Sequence, residues 1–459
     1  MTTRQTIEML REYESRNVLF TEPDGSWPIV WERVKGVHVW DAEGKKYLDL
    51  TAAFGVAAAG HANPNVVKAG QKQMARLLHA MGDVHPHALK AQLACELSRI
   101  TFERWAKKNR QSAIGNRQSG KVIFSNSGFE AVESALKTAM LATGKHGVIA
   151  FEGAYHGLGY GALNATHREH FRSPFRSQLR EFAHFVPFPF SSRSSRREEA
   201  HSKIGNKTEP VHIGCYEIEE KIRQVFHREK IGAILVEPIQ ARGGINIPPK
   251  EFLPLLRKLC DEHGALLILD EIYTGFGRTG KWFACEHSEV VPDLICLGKA
   301  LTGGFPLSAC VGRADIMDAA WPVSTGEAIH TSTFLGHPVG CAMALAQIAE
   351  IKRLKLCERS AELGKFLLGE LASIQNPKFK IKKSVRGLGL MVGVELNLPD
   401  GKPATESALT AIKTLLHRGY IFLPEGEHGN VISFTPPLTI TKAQLAKAVG
   451  ALAEILNHE

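Results

Sequence analysis

The chain has 459 residues, 44% hydrophobic and 22% charged, enough for a large core and more than one lobe. No apolar run approaches the ~18 residues of a membrane helix, so no membrane partner is expected. The formal charge of +9 invites a nucleic-acid reading, but its distribution argues against one. Residues 104–121 carry six basic side chains and no acid, and 191–207 carry five basic against two acidic, which accounts for the whole excess. Both stretches are rich in Ser, Asn, Gln and Arg and read as solvated surface insertions. The eight cysteines are scattered with no C-x-x-C pair, so neither a metal site nor a disulfide framework is expected. Glu8, Glu12 and Glu14 interrupt the apolar residues at the N-terminus, which therefore lacks a signal-peptide core. A reducing cytoplasm is the compartment these features suggest.

In chain order, 1–20 predicts an amphipathic helix with Ile7, Leu10, Tyr13 and Glu14 near one face. A β-hairpin follows over 29–51. Candidate strands are 122–125, 148–151, 231–236, 266–270 and 294–297, each short, apolar and followed by a Gly-, Pro- or polar-rich loop. Helical patterns alternate with them, which predicts an α/β fold with a large, mainly parallel sheet. Beyond 340 a long helix to about 355 leads to strands near 389–396 and 431–434. The expected division is an N-terminal segment of a small lobe (1–84), a large α/β domain (85–340) and a C-terminal α+β part of the small lobe (341–459).

The densest chemistry lies in Asp270-Glu271-Ile272-Tyr273-Thr274-Gly275, where an acid ends an apolar run and a glycine-rich loop begins. Lys299 follows another apolar run and precedes Gly303-Gly304. Residues at the carboxyl ends of neighbouring strands of an α/β sheet can reach one ligand. Either residue alone would read as an ordinary strand-end acid or a solvated lysine. Asn126-Ser127-Gly128-Phe129-Glu130-Ala131 opens a helix directly after a strand. Ser127 and Glu130 have capping-box spacing, Gly128 permits close backbone approach, and a helix N-terminus attracts an anion.

These strings together resemble the pyridoxal phosphate (PLP) site of the class III aminotransferases, a fold-type I family with a small lobe built from both chain ends. The resemblance runs from about 30 to 440, with seven separated strings in family order. It implies that Lys299 holds the cofactor aldehyde as a Schiff base and later moves the substrate proton. Asp270 would keep the pyridine nitrogen protonated. Ser127, Gly128 and the Phe129 main chain would cradle the phosphate. The family usually has Thr or Ser where Phe129 stands, so a side-chain hydroxyl would be missing here.

Ala154-Tyr155-His156-Gly157 resembles the family's stacking segment, with Tyr155 on one face of the ring and Ile272 on the other. Glu237-Pro238 resembles its E-P motif, whose acid lies near the pyridine side. Tyr273 occupies a position that is commonly Gln and would bond the ring's 3-oxygen. In His330-Thr331-Ser332-Thr333-Phe334, Thr333 matches the threonine that reaches the cofactor of a neighbouring subunit, which implies a homodimer with shared sites. Arg386-Gly387-Leu388-Gly389-Leu390-Met391 resembles the R-G-x-G-L-M motif whose arginine grips a substrate carboxylate. Phe54, between Asp49 and Pro64, would line the substrate entrance.

One departure bears on substrate. Many 4-aminobutyrate and ornithine enzymes of the family carry Q-G-E-G-G after E-P; here the string is Gln240-Ala241-Arg242-Gly243-Gly244. The family's Glu there pairs with the carboxylate-binding arginine; here another acid serves, or Arg386 is always available, or Arg242 itself binds a distal carboxylate, unless it simply points to solvent. The resemblance implies transfer of an amino group from an amino acid or ω-amine to a 2-oxo acid. A 1,2-aminomutase, a dialkylglycine decarboxylase and a non-catalytic PLP-fold binding module remain as alternatives.

Overall fold

The computed structural model describes residues 1–23, 25–108, 119–190, 215–374 and 381–458. The basic stretch 191–207 and residues 109–118 of the other lie outside the described residues. At the edges of the latter, Arg104 pairs with Glu286 and Lys121 with Asp318.

The N-terminal helix is shorter than its pattern predicts. It spans Thr3–Tyr13 and buries only Ile7, and Tyr13 is exposed. Ser15 and Asn17, both weak helix formers, follow its end. The expected hairpin is a three-stranded meander: β1 (Trp31–Lys35), β2 (His38–Asp41) and β3 (Lys46–Asp49). Gly36, at φ +61°, makes the extra turn that splits the first run.

The large sheet contains β4 (Gly120–Ser125), β5 (Gly147–Phe151), β6 (Ala183–Val186), β7 (Ile231–Val236), β8 (Leu266–Asp270), β9 (Leu294–Leu297) and β10 (Ser308–Arg313). Its spatial order is β4-β10-β9-β8-β7-β5-β6. The stretch from β6 to β9 is parallel, whereas β10 runs antiparallel to both β9 and β4. The sheet is therefore mixed. β6 and β10 had no clear sequence signature, because β6 carries polar His184 and β10 is rich in small residues (Ser308, Ala309, Gly312). By contrast β7 is buried along its whole length, which explains its unbroken apolar run.

Past the helix Pro338–Arg353 come β11 (Lys382–Leu388), β12 (Met391–Asn397), β13 (Tyr420–Ile421), β14 (Leu423–Glu425) and β15 (Val431–Phe434). β11, β12, β15 and β14 form an antiparallel sheet in that order. β13 joins β3 in parallel, so the two chain ends share a sheet. The Glu350 carboxylate accepts hydrogen bonds from Asn63 and Asn65, tying the helix Pro338–Arg353 to the N-terminal segment. No helix among the described residues is long and apolar enough to cross a membrane.

Candidate active site

The strand ends of the large sheet converge. Asp270 closes β8, Glu237 follows β7, Tyr155 and His156 follow β5, Ser127 follows β4, and Lys299 follows β9. A cavity of about 430 Å3 opens there. Its walls include Lys299, Asp270, Tyr155, Ile272, Tyr273 and Arg242. Gly128, Phe129, His156 and Glu237 also reach it.

At its floor the Asp270 Oδ2 lies 2.8 Å from His156 Nδ1, and both side chains are buried. The other carboxylate oxygen accepts the Ile272 main-chain N–H at 3.1 Å. Asp270 is therefore a fixed negative charge held by two donors. His156 Nε2 is buried with no hydrogen-bond partner. Beside this pair, Glu237 accepts the N–H groups of Tyr155 and Ala241 at 3.1 and 3.2 Å. Burial pushes its carboxyl up to about 7; His156 opposes this, and the nearby Asp270 charge adds to it.

Lys299 has φ +43°, which turns the chain sharply after β9. Its amino group sits 4.5 Å from the centre of the Tyr273 ring. Burial lowers the lysine below its ordinary value, against the opposing pull of Asp270, Glu237 and Glu425. A larger neutral fraction is what a nucleophilic amine needs. The Tyr273 hydroxyl lies 3.2 Å from Thr435 Oγ1, and burial raises its pKa.

The helix Gly128–Thr143 points its N-terminus at the cavity. The Glu130 carboxylate accepts the N–H groups of Asn126 and Ser127 and the Ser127 hydroxyl. A side chain at Gly128 would press on Ile272, at 3.0 Å. The Phe129 ring is 38% exposed, so it faces outward from the core while its main chain stays in the first turn.

The remaining expected residues lie outside the cavity lining. Thr333 is exposed. Phe54 is 44% exposed and follows Ala52 and Ala53 in a run of positive φ. That loop is anchored by Asp49, whose oxygens meet His61 Nε2 at 2.7 Å and accept the Thr51 hydroxyl at 2.6 Å. Arg386 donates Nε to the carbonyls of Gly244 and Ile245 at 3.1 and 3.0 Å, and its Nη1 bonds Glu395. Arg242 takes the other position: it faces the cavity, with its guanidinium 5.5 Å from the Tyr155 ring centre.

Three neighbours escaped the sequence reading. Glu425 lies 3.7 Å from Arg242. Arg168 donates to the carbonyls of Arg242 and Gly426. Thr435 supports Tyr273.

An amine, a fixed carboxylate, a facing phenol ring and a helix N-terminus around one cavity suit a flat, anionic aldehyde cofactor such as PLP.

Comparison with known proteins agrees. Residues 20–456 match the family model "Aminotransferase class-III". The chain is 36% identical to an acetylornithine aminotransferase of Methanosarcina acetivorans over 444 residues, 96% of this chain and 95% of that one. It is 37% identical to a 5-aminovalerate aminotransferase of Pseudomonas aeruginosa over 437 residues, 94% of each. Its fold matches a PLP-bound amine transaminase from an uncultivated Pseudomonas species at a TM-score of 0.84, with 26% identity across 97% of this chain and 98% of that one. The chain belongs to the class III aminotransferases and is a PLP-dependent transaminase.

Proposed function

We propose that the amino donor is an ω-amino acid or a diamine-derived amino acid and the acceptor a 2-oxo acid, exchanged in ping-pong half-reactions. The carrying observation is an arginine, Arg242, on the wall of the same cavity that holds Lys299 and Asp270. The names of the relatives, acetylornithine, 5-aminovalerate and putrescine aminotransferases, support substrates with an amine remote from a charged or polar end.

When bound, PLP supplies a carbonyl that captures amines and a ring that accepts the electron pair left at the substrate carbon. The chain's own groups do the rest. Lys299 Nζ would hold the cofactor and, once freed, serve as the base for the proton on the substrate carbon. Asp270, fixed by His156, would supply the charge that keeps the pyridine nitrogen protonated. Tyr155 and Ile272 would pack on the ring, and Tyr273 would donate a hydrogen bond to it. Ser127, Gly128 and the Phe129 main chain would receive the phosphate. Glu237 backs the Asp270 pair from the β7 side. Arg242 receives a substrate carboxylate. Arg386 can join it only by leaving Glu395, and Phe54 borders the entrance.

Arg242→Ala should raise KM for the 2-oxo acid by roughly 10- to 100-fold, as loss of a charged hydrogen bond of about 1.5–3 kcal/mol implies. KM for a diamine without a carboxylate should stay put. Steady-state kinetics on both substrates checks this. An unchanged KM for every carboxylate would place Arg242 outside recognition.

A homodimer with shared sites belongs to the same reading. Thr333 and Phe334 are exposed where a neighbouring subunit could take them. Thr333→Ala should weaken PLP retention about tenfold if its hydroxyl bonds the partner's cofactor phosphate. Equilibrium dialysis of the cofactor measures that; equal retention would remove Thr333 from the site. The division at 84/85 and 340/341 is likewise our reading, and the β3–β13 pairing supports one small lobe made of both ends. All eight cysteines are free, which suits a reducing cytoplasm.

A further inference from the structure

Behind Arg242 lies a carboxyl that the chemistry above leaves idle. Glu425 ends β14, and its side chain is 2% exposed. Its Oε2 stands 3.7 Å from Arg242 Nε, too far for a hydrogen bond but close for opposite charges. Both atoms are buried and without a hydrogen-bond partner. The main chain holds the two residues side by side: the Gly426 N–H donates to the Arg242 carbonyl at 3.1 Å. Arg168 clamps the same junction by donating to the carbonyls of Arg242 and Gly426.

Four charged or titratable groups face Glu425: Arg242, Arg168, Lys299 and Tyr273. Arg168 spends its hydrogen bonds on carbonyls. The Lys299 amine is committed to the cofactor. Tyr273 is neutral in the working range, because burial raises its pKa. Arg242 is the one ion-pair partner of Glu425 among the described residues.

One guanidinium thus serves two claimants. On its cavity side Arg242 receives the substrate carboxylate, a placement taken from the function proposed above. On its inner side it compensates Glu425. When the first contact forms, the positive charge seen by Glu425 is largely neutralised. A buried carboxylate without compensation costs far more than a buried carboxylic acid.

We propose that Glu425 is a positioning residue that, when ionised, takes up a proton as a carboxylate seats on Arg242, so that carboxylate recognition is coupled to pH. Without cofactor, burial pushes Glu425 up to about 7 against Arg242, Arg168 and Lys299; with Lys299 committed to the cofactor, Arg242 and Arg168 remain to oppose it, so the substrate-free site changes charge near or above neutrality. Occupation of Arg242 raises it further. The sign follows from that value and from the direction of its change on occupation. Below about pH 7 Glu425 is protonated in both states, and affinity for a carboxylate is flat. Between that value and the higher one of the occupied site, each binding event recruits a proton and affinity falls by up to about tenfold per pH unit; above both it is flat again. Amines without a carboxylate carry no such slope through this residue.

The test uses the PLP-loaded enzyme and glutarate, a dicarboxylate with no amine. Its dissociation constant is followed through the visible spectrum from about pH 6 to 9. Its binding heat is measured near pH 8 in two buffers of different ionisation heat. Wild type should take up about one proton per glutarate and lose affinity above neutrality. Glu425→Gln should still bind glutarate, with the slope and the proton uptake gone. Wild type that binds without proton uptake overturns the proposal, whether or not the variant folds. So does a Glu425→Gln protein that keeps the slope. Arg242→Ala separates the layers. If that variant binds glutarate like wild type, the placement of the carboxylate at Arg242 is wrong. If it loses glutarate while wild type shows no proton uptake, only the role given to Glu425 falls.

Discussion

Lys299→Ala should lose turnover by roughly 10^4-fold, the upper end for a positioned proton-transfer group, because covalent attachment goes with it. The fold should survive. Lys299 sits on a cavity wall, and its loss exposes no unpaired buried partner: Asp270 keeps its bonds from His156 and the Ile272 N–H. Circular dichroism should therefore match wild type, while PLP binds without covalent attachment and dialyses away more readily. Normal transamination by this variant would remove Lys299 from the chemistry.

Asp270→Asn should be the second largest loss, about 10^2- to 10^3-fold in kcat, the range for deleting one charge placed for the transition state. The amide is nearly isosteric and can still accept from Ile272. What it lacks is the negative charge at the end of β8. The effect should fall on kcat more than on cofactor affinity, if the phosphate is received, as proposed, at the helix Gly128–Thr143. Stopped-flow measurement of the donor half-reaction isolates the step. A variant with an unchanged half-reaction rate would mean that Asp270 is only a partner for His156.

Both residues were visible in the sequence because their signals are local. Asp270 ends one apolar run and Lys299 follows another, and each motif carries its own glycines. The strands β7, β8 and β9 were legible for the same reason: buried on both faces, they are unbroken apolar runs bounded by turns. Partners brought in by the fold were not. His156 meets Asp270 across 114 positions of sequence, and no periodicity reports such a contact. Glu425 arrives from the C-terminal sheet and looks like a turn acid until β14 is placed against the Arg242 loop. Arg386 illustrates the converse. Its motif is strong, yet its guanidinium is engaged by Glu395 and the carbonyls of Gly244 and Ile245. The motif string says nothing of those bonds. β10 escaped because antiparallel insertion into a parallel sheet leaves no mark on a six-residue run in which Ser308, Ala309 and Gly312 are small.

The central claim is that Lys299, Asp270 and Arg242 border one PLP site that accepts amines. The most direct measurement is the visible absorption of the purified protein with PLP, followed by titration with ω-amino acids and diamines and no 2-oxo acid. A yellow band should appear, bleach with amines of the right class, and return when a 2-oxo acid is added. A protein that stays colourless with added PLP, or a band that no amine disturbs, would contradict it.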